Sequence, residues 1–218
     1  MRNEWRSIFN SYQLSPRSLS RLEQSLVLIK VPAGQILQLE GEECRGIYWV
    51  LSGEMSAYRI AMDGRELTLQ YFNAGDILNL VSAFETPPVT IASIRAAQDS
   101  QCLWLDLTDL SLLLAECSDL STALLKLLAK RLHHMADLVE QIGLHSVRGR
   151  LAQFLVDLGD GKLPPRQYTQ NEMAAHIGTV RDMVGRTLKS FETAGLIERQ
   201  RSHIVLLDRT GLEKEANA

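Results

Sequence analysis

Apolar positions change their spacing twice along this chain, and each change marks a different kind of element. Between Val31 and about Leu107 they come in short runs: QILQL, GIYWVLSG, EMSAYRI, ELTLQYF, VTIASIRA and QCLWLDL. Turn signals separate the runs at Pro32 to Gly34, Gly41, Gly53, Asp63-Gly64 and Gly75-Asp76. Strands about ten residues apart with glycine-marked turns predict an antiparallel barrel or roll. Asp63-Gly64 predicts a two-residue hairpin. Ahead of the runs, residues 1–27 read as a short helical region carrying Leu19, Leu22 and Leu26.

From Ser118 the spacing becomes helical. Ser118 and Asp119 open a helix that reaches about Ile142, a length of about 37 Å. Leu125, Leu128, Leu132, Met135, Val139 and Ile142 alternate steps of three and four, which is a heptad seam. A second stripe, Leu120, Leu124, Leu127 and Leu138, lies beside it. One stripe is expected to pack on the roll and the seam to meet a second copy of the helix. Gly143 to Ser146 breaks the pattern and reads as a hinge. Ser146 caps a further helix, Val147 to Leu158, and Gly159-Asp160-Gly161 with Pro164-Pro165 forms a loop.

The stretch Thr169 to Ile197 predicts two helices joined at a glycine. Thr169 N-caps the first, and Glu172 three residues on completes a capping box. Met173, Ala174 and Ile177 give it an apolar face, and Gly178 supplies the turn. In the second helix Val184, Leu188, Phe191 and Gly195 follow helical spacing and are expected to face inward. Thr179, Asp182, Arg186 and Lys189 fall on the other side, flanked by Arg181. One face holding the domain and one offering donors and acceptors is the layout a recognition helix needs in a DNA groove. The following GLIERQRSHIVLLD reads as a two-stranded wing with Arg199, Arg201 and His203 around its tip, and EKEANA as a frayed polar tail.

Composition narrows the classes. The chain has 218 residues, 45% apolar and 22% charged, which is ordinary for a globular protein. It holds no run of about 18 apolar residues to span a membrane. Its start, MRNEWRSIFNSYQ, lacks the apolar core of a signal peptide, so a cytoplasmic location is expected. Cys44, Cys102 and Cys117 show no CxxC pairing, which argues against a zinc ribbon or a disulfide framework. Residues 1–146 carry 12 Lys and Arg against 17 Asp and Glu, and residues 147–218 carry 11 against 9. An acidic front and a basic back suit a small DNA-binding domain joined to something else. The expected fold is α+β: an antiparallel β-roll over residues 1–117, a dimerisation helix and hinge over 118–145, and a winged helix-turn-helix over 146–218. Catalysis is not expected. The first histidine is His133, beyond the strands, so the strand-borne metal ligands of a barrel enzyme are missing.

In this order of parts, and above all in GxxRDMVGRTLKxFExxGLI, the chain resembles the Crp/Fnr superfamily of bacterial transcription regulators. The resemblance implies a homodimer on a two-fold symmetric DNA site, with RNA polymerase as a protein partner. It implies a recognition helix bearing Arg, an acidic residue and a second Arg, here Arg181, Asp182 and Arg186. Asp stands where Glu is usual. Arg181 is suited to fork onto guanine O6/N7 and Asp182 to accept from cytosine N4. Thr169, Gln170, Thr179, Lys189, Arg199 and Arg201 are candidates for phosphate contacts, which set register.

The resemblance weakens at the effector pocket. Cyclic-AMP-binding members hold the ribose and cyclic phosphate with a Gly-Glu pair and a later Arg-Ser pair. The equal-length segment here, GDILNLVSAFETPPVTIASIRA, has Asn79, Leu80, Thr90 and Ile91 there, and the helix positions that meet adenine are Met135 and Ala136. These six positions offer no cation for a phosphate, so cyclic AMP is not expected to bind. An iron–sulfur cluster is not expected either, because residues 1–43 contain no cysteine. Haem is the remaining family cofactor, with His134 and Cys102 as its candidate ligands; the plain reading of Cys102 is a buried small hydrophobe. An effector other than cyclic AMP and constitutive DNA binding both stay open.

Overall fold

The computed structural model describes residues 2–62, 64–164, 166–200 and 203–217. Two helices come first, α1 (Arg2–Phe9) and α2 (Pro16–Ser25). Ser15 caps α2 by accepting from the Ser18 amide at 3.2 Å. Eight strands follow: β1 (Val27–Val31), β2 (Ile36–Gln38), β3 (Gly46–Ser52), β4 (Met55–Ile60), β5 (Glu66–Phe72), β6 (Ile77–Leu78), β7 (Ser93–Ala96) and β8 (Ser100–Asp106). They form two four-stranded sheets, ordered β1-β8-β3-β6 and β2-β7-β4-β5. Pairing is antiparallel, with Val27 opposite Trp104, Trp49 opposite Leu103 and Ala57 opposite Ile94.

Strands β3 and β8 are apolar on both faces because both faces are covered. Ile47, Trp49, Leu103 and Leu105 join Phe9, Leu22 and Leu120 in a cluster under the helices. Val50 and Cys102, of opposite parity, join Val31, Met55, Ala57 and Phe72 inside the roll. Sequence reading missed β1, most of which falls between the helical region ending at residue 27 and the strand runs starting at Val31, and the short β6. Between β4 and β5 the Ala61 amide donates to the Arg65 carbonyl at 2.8 Å. Gly64 takes φ +80 there, and Asp63 lies outside the described residues.

Helix α3 (Leu107–Glu116), capped by Asp106, was also missed. Helix α4 (Ser118–Leu144) is 27 residues long. The expected hinge therefore begins later, since Gly143 is still helical. Leu120 and Leu124 of the second stripe are fully buried, while Leu125, Leu132, Met135 and Val139 of the seam are 66, 73, 54 and 65% exposed. Asp119 ties the start of α4 to α2 by accepting the Ser15 amide at 2.7 Å and the Ser18 hydroxyl at 2.6 Å. The Ser18 hydroxyl, working against burial and with the Ser15 amide, brings this carboxyl down to about 2. Arg131 donates to the Ile77 carbonyl at 2.5 Å and lies over the Phe72 ring. Cys44, Cys102 and Cys117 are all buried, and burial pushes the Cys102 thiol up to about 11.

Backbone packing divides the chain into two units: Met1–Arg59 with Tyr71–Leu132, and Ile60–Gln70 with His133–Ala218. The second contains α5 (Val147–Gly159), α6 (Gln170–Ile177), α7 (Arg181–Thr193), the strands β9 (Ile197–Arg199) and β10 (Ile204–Leu206), and α8 (Arg209–Ala216). Ser146 caps α5 as expected, accepting from Gly149 at 3.0 Å. One core holds Leu151, Phe154, Leu155, Met173, Val184, Phe191, Ile197 and Leu212. The tail is not frayed through the described residues. It forms α8, capped by Asp208, with Leu212 and Ala216 buried. Among the described residues, no helix is long and apolar enough to cross a membrane.

Candidate nucleic-acid interface

The helix pair forms where the sequence placed it. Thr169 Oγ1 accepts the Glu172 amide at 3.2 Å, and the Glu172 carboxylate accepts the Thr169 amide at 2.6 Å. Glu172 is buried and also meets Arg166. Burial pushes its carboxyl up, but the Thr169 amide and Arg166 outweigh that and hold it below the usual carboxylate range. Helix α6 ends at Gly178 with φ +66. A Cβ at Gly178 would stand 2.9 Å from Ile142 Cδ1 and 3.1 Å from Leu138 Cδ1, so the bare α-carbon lets the end of α4 approach the turn.

The N-cap of helix α7 is Val180, which supplies no side-chain cap, so its first amides keep open donor capacity. Val184, Leu188 and Phe191 are buried at steps of four and three. Arg181, Asp182, Arg186 and Lys189 are exposed on the other face. None of these four pairs its side chain with another described residue. Gly195 departs from the expectation: it lies beyond the helix, exposed, with φ +70, where it turns the chain into β9.

The expected phosphate contacts divide into two groups. Thr169, Gln170 and Arg199 line one groove of about 780 Å³, together with Arg166, Gln200 and His203, over a floor that includes Leu155, Met173 and Ile204. Thr179 is half-buried at the turn and Lys189 exposed on α7. Arg199 also holds a carboxylate within the unit. Its Nε and Nη2 donate to Glu192 at 2.9 and 2.7 Å, and its amide to the same carboxylate at 3.2 Å. That pair pins the wing to α7. Arg201 lies outside the described residues.

Sequence reading missed three arginines in this unit. Arg166 stacks on the Tyr168 ring at 4.4 Å. Arg150, 8% exposed, donates to the carbonyls of Ile177 and His145, each at 2.7 Å. Arg148 bonds Glu215 and Ser190. As isolated basic residues on an amphipathic helix, the last two carried no signal that marked them out.

Of the six expected effector positions, four lie in the first unit, and Met135 and Ala136 lie in the second. Leu80 is fully buried in the cluster with Trp49, Ile77 and Leu120. Asn79 adopts φ +59 and donates to Gln38 at 2.5 Å. Thr90 is buried with no partner for its hydroxyl among the described residues. Ile91 is exposed, as are Met135 and Ala136. A cation does reach this place, from outside the six: Arg59 Nε and Nη2 donate to the Ile91 carbonyl at 2.9 and 2.6 Å, and Arg59 pairs with Glu40 at 3.1 Å. Of the haem candidates, Cys102 is buried and His134 is exposed.

Comparison with known proteins matches residues 28–117 to the cyclic nucleotide-binding domain and residues 149–215 to the Crp-like helix-turn-helix domain. The CRP-like cAMP-activated global transcriptional regulator of Mycobacterium tuberculosis H37Rv is 26% identical, covering 93% of this chain and 94% of that one. The cAMP-activated global transcriptional regulator CRP of Salmonella typhimurium is 27% identical, covering 81% and 88%. The catabolite activator protein of Thermus thermophilus superposes with a TM-score of 0.57 at 25% identity, covering 96% and 97%. The c-di-GMP-responsive regulator CLP of Xanthomonas campestris shares the fold, with a TM-score of 0.74 at 22% identity over 88% and 99%.

Proposed function

Because the chain belongs to the Crp/Fnr superfamily of bacterial transcription regulators, we propose that it binds a two-fold symmetric DNA site as a homodimer in the cytoplasm, with Arg181, Asp182 and Arg186 reading bases. One observation carries this reading: α7 buries Val184, Leu188 and Phe191 and leaves those three polar side chains exposed and unpaired among the described residues. Thr169, Gln170, Thr179 and Lys189 supply phosphate contacts, with Arg201 from the wing. Residues 118–145 dimerise, and the DNA-bound dimer presents itself to RNA polymerase.

The exposed seam supports the dimer. Leu125, Leu132, Met135 and Val139 would cost solvation energy on a lone helix and gain it in a coil. Leu128 is half-buried against the roll, and Ile142 also meets Gly178, so both serve the chain's own packing as well.

Cyclic AMP, the activator of two relatives, does not fit. Leu80 fills core space where a ribose-binding carboxylate would be needed, and Arg59 is already held by Glu40 and the Ile91 carbonyl. Selection of duplexes from a random pool by the native protein tests the whole reading. The expected product is a palindrome with half-sites about 34 Å apart. Enrichment of single, unpaired half-sites, or of nothing, overturns it.

A further inference from the structure

The C-terminal helix α8 is fixed at both ends. At its start Arg209 pairs with Asp160 at 2.6 Å. At its end Glu215 accepts Arg148 Nε at 2.5 Å and Nη2 at 2.6 Å. Two glycines let it lie close. A Cβ at Gly149 would stand 3.2 Å from the Glu215 carbonyl oxygen, and one at Gly211 would stand 2.5 Å from Leu196 Cδ2.

The same Arg148 guanidinium has a second set of partners. Its Nη1 donates to Ser190 Oγ at 2.7 Å, and its carbon lies 4.6 Å above the Phe191 ring. Ser190 and Phe191 belong to α7. One planar group thus joins the last turn of α8 to the helix that carries Arg181 and Asp182. Lysine has no fork with which to hold both partners and a ring at once. Ser190 lies nine residues after Arg181, about 14 Å along the helix. A tilt of about 5° at that lever shifts Arg181 by about 1 Å, enough to spoil a two-bond contact with a base edge.

We propose that Arg148 and Glu215 are positioning residues for base reading: through Ser190 and Phe191 they set the tilt and rotation of α7, and α8 is the brace that holds Arg148 in place. This rests on the DNA-reading function proposed above. Neither residue belongs to the base-reading set, so their effect falls on specific binding and not on general attraction to the duplex.

The test compares affinity for the selected duplex and for a scrambled one, beside thermal unfolding, in the full-length protein. Arg148→Ala lowers affinity for the selected duplex about tenfold and leaves the scrambled one unchanged. Ser190→Ala costs about threefold with an unchanged melting temperature. The exchanged pair Arg148→Glu with Glu215→Arg restores the thermal stability lost in Arg148→Ala but not the specific affinity, because the carboxylate placed at 148 offers Phe191 no cation. Return of specific affinity together with stability in the exchanged pair, or native affinity in Arg148→Ala, overturns the proposal. Failure of the native protein to enrich any duplex overturns the DNA-reading assignment itself, whereas native binding with unaffected variants removes only the role of Arg148 and Glu215.

Discussion

Arg150 Nε donates to the Ile177 carbonyl at 2.7 Å, and so joins the start of the domain to the last residue of α6. Its Nη1 takes the His145 carbonyl, just past the end of α4. A buried guanidinium thus satisfies carbonyls at two helix ends that would otherwise be left without donors. Arg150→Leu keeps the bulk and removes the donors, and should cost about 2–3 kcal/mol. Urea unfolding followed by a probe in the winged domain measures it; a loss below about 0.5 kcal/mol would mean that water replaces the guanidinium.

Arg181 and Lys189 should respond differently to truncation. Arg181→Ala is expected to cost about 1–3 kcal/mol on the selected site and to relax the preference at one base pair. Lys189→Ala should weaken all duplexes alike and reduce the salt slope by about one. Titrations at several salt concentrations separate the two. A uniform loss in Arg181→Ala would reassign it to the phosphate backbone.

The exposed seam on α4 predicts the oligomeric state. Leu132 and Val139 are 73 and 65% exposed, so Leu132→Glu with Val139→Glu disturbs little inside the chain. Sedimentation should show monomers of native helical content and much weaker operator binding. Persisting dimers would move the interface elsewhere.

Gly178 combines a left-handed backbone with close neighbours. Gly178→Ala should cost about 1–2 kcal/mol from the backbone alone. The contact with Ile142 Cδ1 adds to this, and Ile142→Ala in the same chain should return that added part. A double-mutant cycle in thermal unfolding reads the coupling; strict additivity would show that the turn moves aside freely.

Asp119 gives a pH dependence with a definite sign. Its folded carboxyl titrates near about 2, below the ordinary 3.8. The unfolded chain therefore binds the extra proton first as pH falls, and the stabilisation, complete above about pH 4, fades between about pH 4 and pH 2. Asp119→Asn should flatten stability across that window while leaving neutral-pH binding intact. An unchanged acid limb would place the responsible carboxylate elsewhere.

Much of the winged unit was legible because its signals are local. Ser146, Thr169 with Glu172, and Gly178 mark ends by chemistry that needs no partner from afar. The two stripes of α4 were legible because 3.6-residue spacing separates Leu120 and Leu124 from Leu125 and Leu132. What escaped depends on tertiary neighbours. Strand β1 looks like a continuation of the preceding helix until β8 is there to pair with it. Helix α3 buries Leu110 and Leu113 but leaves Leu112 exposed, so its run of leucines shows no single helical face in the sequence. Arg199 reads as a free cation until Glu192, in the last turn of α7, pairs with it. Leu80 reads as a pocket wall until the helix-side core claims it.

Burial of all three thiols has a practical corollary. A maleimide or iodoacetamide should find no target on the native chain and three on the opened one. Cys102 and Cys117 sit in different apolar clusters, so the order in which they react with such a reagent is a clock for which layer of the first unit opens earliest.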